Sequence, residues 1–152
     1  MSDAGYAGTH KVLPFTIQRM TNKTPEFYET VGPFLSRREI VAELGSPVWD
    51  DDDKEWFVAI EESGDVQGIV GVRATEVCSL YVTPAGRGRL IGCALLHQAL
   101  TSVGTERELR ATATERGREL FLLFGFAETG TRGRYFTMQR AAKPEAVDVQ
   151  PE

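Results

Sequence analysis

Residues 79–100 read SLYVTPAGRGRLIGCALLHQAL, and this stretch decides the fold. An apolar run closes at Pro84 and a glycine–arginine loop follows. From Gly88 to Val103, apolar side chains fall at Leu90, Ile91, Ala94, Leu95, Ala99, Leu100 and Val103, the stripe of an amphipathic helix. A strand–loop–helix junction points unpaired backbone N–H groups and the positive end of a helix dipole at one spot. Such a spot binds phosphate groups. Gly86, Gly88 and Gly92 allow close backbone approach, while Arg87 and Arg89 add charge. The same residues also suit a plain turn with solvated arginines, so the loop alone does not choose between the two.

Upstream, Phe15 to Met20 alternates apolar and polar residues as a half-buried strand does. Thr24-Pro25-Glu26 predicts a helix start, with Thr24 as N-cap and Pro25 at the first helical position. Ser36-Arg37-Arg38-Glu39 has capping-box spacing ahead of a second helix, which Gly45-Ser46-Pro47 stops. Trp56 to Ile60 and Val66 to Val72 flank the turn Ser63-Gly64-Asp65 and read as a hairpin, with Val77 to Val82 the next strand. Downstream come a strand at Leu109 to Thr114, a helix from Arg116 to Phe124 closed by Gly125, and a final strand through Arg134 to Gln139. The order β-α-α-β-β-β-α-β-α-β-β predicts an α/β (α+β) fold, in which helices flank a mixed, mostly antiparallel central sheet. One domain is expected over residues 11–140, with flexible tails at 1–10 and 141–152.

Composition excludes several classes. Two cysteines, Cys78 and Cys93, fit neither a disulfide framework nor a CxxC metal site, and His10 and His97 lack companion ligands, so no metal is expected. No apolar run approaches a membrane span, and no leader pattern opens the chain, so a cytoplasmic protein without a membrane partner is expected. Asp50 to Asp53 lacks the glycine and the distant glutamate of a calcium loop. It reads as a solvated acidic loop or as a negative rim that attracts cations.

The segment around Arg87-Gly88-Arg89-Leu90-Ile91-Gly92 resembles the acetyl-CoA-binding motif of the GNAT superfamily of N-acetyltransferases. There a strand ending in LYVxP leads to Arg/Gln-x-x-Gly-x-Gly/Ala and a helix of small residues and leucines. Glu119 to Phe126 resembles that family's later LYxxLGF block, and Tyr135 to Arg140 its closing strand. Three blocks at matching separations cover most of residues 13–140. The resemblance implies the acyl-CoA N-acyltransferase fold, with acetyl-CoA as co-substrate and a small-molecule or protein amine as acceptor. It also implies that Leu80, Tyr81 and Val82 hold the pantetheine arm through backbone groups. The backbone of Arg87, Gly88, Arg89, Leu90, Ile91, Gly92 and Cys93 would hold the pyrophosphate, and an N–H near Val82 the oxyanion.

Three positions depart from the family pattern. Leu90 stands where a glycine is usual, Thr114 where an asparagine is, and Phe121, at a cofactor-contacting position, where a tyrosine serves as acid. Glu76 is the leading base candidate, and equally a solvated turn glutamate. Tyr135 is a second catalytic candidate, or a rim residue on the sheet. Cys78 reads as a small buried thiol without a catalytic partner, and His97 as a surface residue. Of Trp49 and Trp56, one belongs in the core and the other could line an acceptor pocket. Arg116 or Arg118 could meet the CoA 3′-phosphate, or else pair with the interleaved glutamates.

The net charge of −5 conceals a split. Residues 1–76 carry 7 basic and 14 acidic side chains, whereas residues 77–152 carry 10 basic and 8 acidic. The basic half holds the cofactor loop, and the acidic half would face a cationic acceptor. Two other readings stay open: a non-catalytic GNAT-fold sensor or interaction module, and a member acting on nucleic acid or aminoacyl-tRNA. Homodimers through the final strand are frequent in the family.

Overall fold

Side chains that alternate between two faces set seven strands into one sheet, and the helices cover those faces where the alternating residues are apolar. The computed structural model describes residues 15–44, 53–87 and 90–143. Its strands are β1 (Phe15–Met20), β2 (Lys54–Glu61), β3 (Val66–Arg73), β4 (Glu76–Val82), β5 (Leu109–Ala113), β6 (Ala127–Arg132) and β7 (Tyr135–Arg140). They lie side by side in the order β1-β2-β3-β4-β5-β7-β6. Every neighbouring pair is antiparallel except β4 and β5, which run parallel. A parallel pair needs a crossover, and the helix α4 (Ile91–Val103) supplies it. The other helices are α1 (Phe27–Thr30), α2 (Gly32–Leu35), α3 (Arg38–Leu44) and α5 (Glu115–Leu123). The mostly antiparallel sheet with flanking helices is the expected architecture.

Two cores follow from the alternation. Phe57, Val70, Val72, Val77 and Ala111 face α4 and α5, where Leu95, Leu96 and Phe121 meet them. Trp56, Val58, Ile69 and Tyr81 face the other way and pack against Phe27, Phe34 and Ile40 of the first helices.

The N-terminal helices differ from their expected form. Thr24 does not cap with its side chain: its hydroxyl accepts from the Thr21 N–H at 3.0 Å, and the helix begins at Phe27. The stretch then divides into α1 and α2, because Pro33 has no N–H to continue the ladder. Ser36 turns its hydroxyl back to donate to the Pro33 carbonyl at 3.0 Å, closing α2 instead of capping α3. The stop at residues 45–47, Trp49, most of the acidic run, His10 and the N-terminal tail lie outside the described residues. Of the expected C-terminal tail, residues 141–143 are described, and the Lys143 N–H donates to the Thr105 carbonyl at 2.7 Å.

Candidate functional site

β4 and β5 begin as partners and then part. They pair only at Glu76 with Arg110 and at Val77 with Ala111, although both strands continue. The cause lies in β4 itself. Against β3, Cys78 faces Gly71 and Tyr81 faces Ile69, so Ser79 and Leu80 together oppose the single residue Val70. This is a β-bulge, and Ser79 sits in it with φ at +58°. A bulge adds twist and bends its strand, which carries Leu80 to Val82 away from β5 and leaves that strand edge facing a gap.

The gap is a cleft of about 310 Å³. Leu80, Tyr81 and Val82 form one wall, and Thr114, Gly117 and Leu120 of the β5–α5 side form the other. Ile91, Gly92 and Cys93, the first turn of α4, border the same space. Leu90 at its N-cap has no polar side chain, and among the described residues none caps that turn, which leaves its N–H groups to an anion. Leu80, Tyr81, Val82, Arg87, Leu90, Ile91, Gly92 and Cys93, expected at one site from the sequence, lie together around this cleft. Gly88 and Arg89 lie outside the described residues.

Arg87 is engaged within the protein. Its Nε donates to the Val82 carbonyl at 3.0 Å, its Nη2 to Glu43 Oε1 at 3.1 Å, and its guanidinium lies 5.6 Å above the Tyr81 ring. The turn before it, Pro84–Gly86, is fixed from below by two buried polar side chains. Thr83 donates its hydroxyl to Gln67 Oε1 and accepts from the Gly86 N–H at 3.1 Å. The glycines also have partners other than those expected. A Cβ on Gly86 would lie 3.1 Å from Ile91 Cδ1 and 3.2 Å from Val82 Cγ1, and one on Gly92 would lie 3.1 Å from Leu120 Cδ2. Both permit close packing of protein on protein.

The backbone at Leu90 accounts for the glycine that the pattern prefers there, and nothing in the structure explains the leucine. This residue is the N-cap of α4, with φ at +65°, and its side chain is 62% exposed at the cleft mouth. A left-handed conformation costs a side-chain-bearing residue about 1–2 kcal/mol, while glycine adopts it freely. Leu90→Gly is therefore expected to stabilise the fold by up to about 1 kcal/mol, after the greater entropy of unfolded glycine is deducted. A higher urea midpoint at unchanged m-value would show it, and an unchanged or lower midpoint would refute it.

Phe121 does not line the cleft. It is 2% exposed, packs edge-on against Phe126, and lies behind Gly117, whose added Cβ would be 4.0 Å from its Cε2. It therefore backs the wall that Leu80 and Gly117 form. Thr114 uses its hydroxyl to cap α5, accepting from the Gly117 N–H at 3.0 Å. Of the two arginines weighed for a phosphate, Arg116 is at the cleft, whereas Arg118 is held by Glu128 at 2.6 Å beside the Phe136 ring.

The catalytic candidates separate. Glu76 is exposed at the opposite end of β4, roughly 15–20 Å along the strand from Val82. Its neighbour Val77 faces α4, so Glu76 points to the other sheet face, where it opens on a different hollow with Arg73 and Arg110. Among the described residues, the carboxylate that lines the cleft is that of Glu43, between Arg87 at 3.1 Å and Arg116 at 3.8 Å. Nothing local marks Glu43 in the sequence; it meets Arg87 across 44 positions. Tyr135 borders an adjoining hollow, its hydroxyl donating to the Glu43 carbonyl at 3.2 Å. Burial pushes the Tyr81 phenol above its usual range, so it stays protonated at neutral pH. Burial likewise pushes the Cys78 thiol up, and its position away from the cleft gives it no role there. His97 is exposed, and Trp56 is the core tryptophan.

No protein-family model matches the sequence, and no curated protein does. Solved structures do match the fold. Escherichia coli ElaA aligns with a TM-score of 0.65 at 15% identity, over 83% of this chain and 99% of its own. A GNAT superfamily phosphinothricin acetyltransferase from Sinorhizobium meliloti, solved with AcCoA, aligns with a TM-score of 0.63 at 18% identity, over 91% and 94%. The PaiA N-acetyltransferase of Thermoplasma acidophilum, solved with coenzyme A, gives 0.56 at 16%, over 84% and 98%. The chain has the fold of the GNAT acyl-CoA N-acyltransferases.

Proposed function

We propose that this chain is an N-acetyltransferase that binds acetyl-CoA in the β4–β5 cleft and passes its acetyl group to a primary amine. The observation that carries the reading is the parting of β4 from β5 beside the uncapped start of α4. A free strand edge offers N–H and C=O groups to the amides of a pantetheine arm, as a neighbouring strand would. Leu80, Val82 and Leu120 supply apolar walls for the arm, and the first turn of α4 supplies N–H groups for a diphosphate. Two of the similar structures were solved with CoA or AcCoA. The apolar walls and the N–H groups of the first α4 turn suit the pantetheine arm and the diphosphate of such a ligand.

The transfer forms a C–N bond between the amine and the acetyl carbon, breaks the C–S bond, and releases CoA. One proton leaves the amine and one reaches the thiolate, so a base and an acid serve the step. Phe121 can be neither. Tyr81 borders the cleft but packs its ring against Phe34 on the other sheet face, and Thr114 commits its hydroxyl to the α5 cap, so the thiolate proton is assigned to solvent entering the cleft. Direct attack develops an oxyanion at the thioester carbon, and the backbone N–H groups of the β4 edge beyond its pairing with β5 are the donors proposed to stabilise it.

Saturating acetyl-CoA is expected to raise the melting temperature, because a ligand at a hundred times its Kd adds about 2.7 kcal/mol to stability. Acceptor-dependent release of free thiol would then separate an enzyme from a sensor module of the same fold. Absence of both a thermal shift and calorimetric binding would remove this reading. Binding without thiol release across an amine panel would favour the sensor.

A further inference from the structure

The cleft does not end at its own walls. A second hollow of about 430 Å³ adjoins it and shares Glu43, Thr114 and Arg116 with it. The remaining lining residues are Glu115, Arg134 and Tyr135. One side of it is bounded by contacts between α3 and the β6–β7 turn. Arg134 donates to the Ala42 carbonyl, and the Tyr135 hydroxyl donates to the Glu43 carbonyl. These two contacts tie together segments 92 positions apart. They leave a space of small-molecule size beside the reaction cleft.

The charges around this space alternate. Glu43 and Glu115 are acidic; Arg116 and Arg134 are basic. Glu43 holds Arg87 with one oxygen and faces Arg116 with the other at 3.8 Å, beyond hydrogen-bond distance. A guanidinium has five N–H donors. Arg134 commits Nε to the Tyr135 hydroxyl and Nη2 to Ala42, so its other donors remain for a ligand. Arg87 and Arg116 already balance Glu43, so a purely cationic acceptor would meet Arg134 with Glu115 to offset it, and a purely anionic one would meet Glu115. Like charges brought together at a recognition surface cost several kcal/mol. An acceptor bearing both an ammonium and a carboxylate matches both signs, the ammonium toward Glu115 and the carboxylate toward Arg134 and the outer side of Arg116.

From this juxtaposition we infer that the second hollow is the acceptor subsite and that the acceptor is a small zwitterionic amine, an amino-acid-like molecule. The inference rests on the acetyltransferase reading above. In the transfer, the acceptor nitrogen gives up one proton and forms the amide bond as the C–S bond breaks. The acceptor carboxylate, held by Arg116 and Arg134, is unchanged and fixes which nitrogen faces the cleft.

Acetyl transfer by the full chain to the common L-amino acids, to their matching amides and to spermidine tests this. The amides keep the ammonium and lose the carboxylate. At least one amino acid is expected to exceed its amide in kcat/KM by tenfold or more, with spermidine poorer than either. Arg134→Gln is expected to raise KM for the acid and leave that for the amide unchanged, with CoA affinity intact because Arg134 lines only the second hollow. Arg116→Gln is the second variant, expected to narrow the acid-to-amide ratio in the same direction. Amides or spermidine used as well as the acids would overturn the inference, as would CoA binding with no amino acid accepted. Both results would leave the cofactor site standing. Failure to bind CoA at all would instead overturn the acetyltransferase reading beneath it.

Discussion

Gly117→Leu is expected to weaken CoA binding by roughly a hundredfold or more, about 2.8 kcal/mol or more, with no loss of fold stability. Gly117 lines the cleft from the first turn of α5. A Cβ there meets Thr114 Oγ1 at 3.5 Å, Leu80 Cδ2 at 3.9 Å and Phe121 Cε2 at 4.0 Å, all ordinary contacts. The substitution therefore does not strain the backbone, and leucine favours helix over glycine by up to about 1 kcal/mol. The rest of the leucine side chain has Leu80 in front of it and Phe121 behind, and must enter the gap between β4 and α5. That gap is the path assigned to the pantetheine arm. Calorimetry with CoA beside urea unfolding separates the two effects. Gly117→Ala serves as the control, expected to keep most of the affinity. Unchanged CoA affinity in a folded Gly117→Leu protein would show that the ligand takes another route.

Much of this architecture is legible in the sequence, and the failures have local causes. Strands with one buried face announce themselves by alternation, as Phe15 to Met20 and Tyr135 to Arg140 do, and α4 by its apolar stripe. β6 is in the expected order, which ends in two strands, but no pattern in the residues gives its bounds. Its residues Ala127 to Arg132 are almost all exposed, and hydrogen bonding to β7 alone defines it as a strand. Capping motifs misled for a different reason: Thr24 and Ser36 have hydroxyls with closer partners, in Thr21 and Pro33, than the helix starts ahead of them. A bulge at Ser79 is invisible because no glycine marks its positive φ, yet it is the feature that opens the cleft.

The cofactor loop illustrates how a pattern can point to the right place by a partly different mechanism. Its glycines were expected to admit a ligand's phosphates to the backbone. Gly86 instead lets Ile91 and Val82 approach, and Gly92 lets Leu120 approach. Those contacts press the start of α4 against β4 and α5, which is what aims the helix terminus at the cleft. Glu43 shows the opposite limit. An acidic residue in a short helix carries no sign of its destination, and only the tertiary fold places it between Arg87 and Arg116. The charge split between the halves of the chain is therefore not a division of labour by segment. A carboxylate from the acidic half joins arginines from the basic half at one mouth.

The largest stability effect is expected at Trp56. Its side chain is fully buried and sits where β2 meets the first helices, with the Phe27 ring centroid 6.2 Å away and the Lys54 ammonium 4.9 Å from its own ring. Trp56→Ala removes this packing and leaves a cavity, at a cost of about 3–5 kcal/mol. That is a large share of the 5–15 kcal/mol by which a domain is typically stable, and it corresponds to a drop in melting temperature of about 10 °C or more. Trp56→Phe is expected to cost distinctly less. Among the described residues the buried indole Nε1 has no hydrogen-bond partner, and an unsatisfied buried donor carries a penalty of about 1–3 kcal/mol that phenylalanine does not bear. The smaller ring loses some contact, and the removed donor offsets part of that loss. Thermal unfolding followed by circular dichroism would order the three proteins as wild type, then Trp56→Phe, then Trp56→Ala. If Trp56→Phe proved as damaging as Trp56→Ala, the indole nitrogen would have to be making a stabilising bond, and the account of this core would fail.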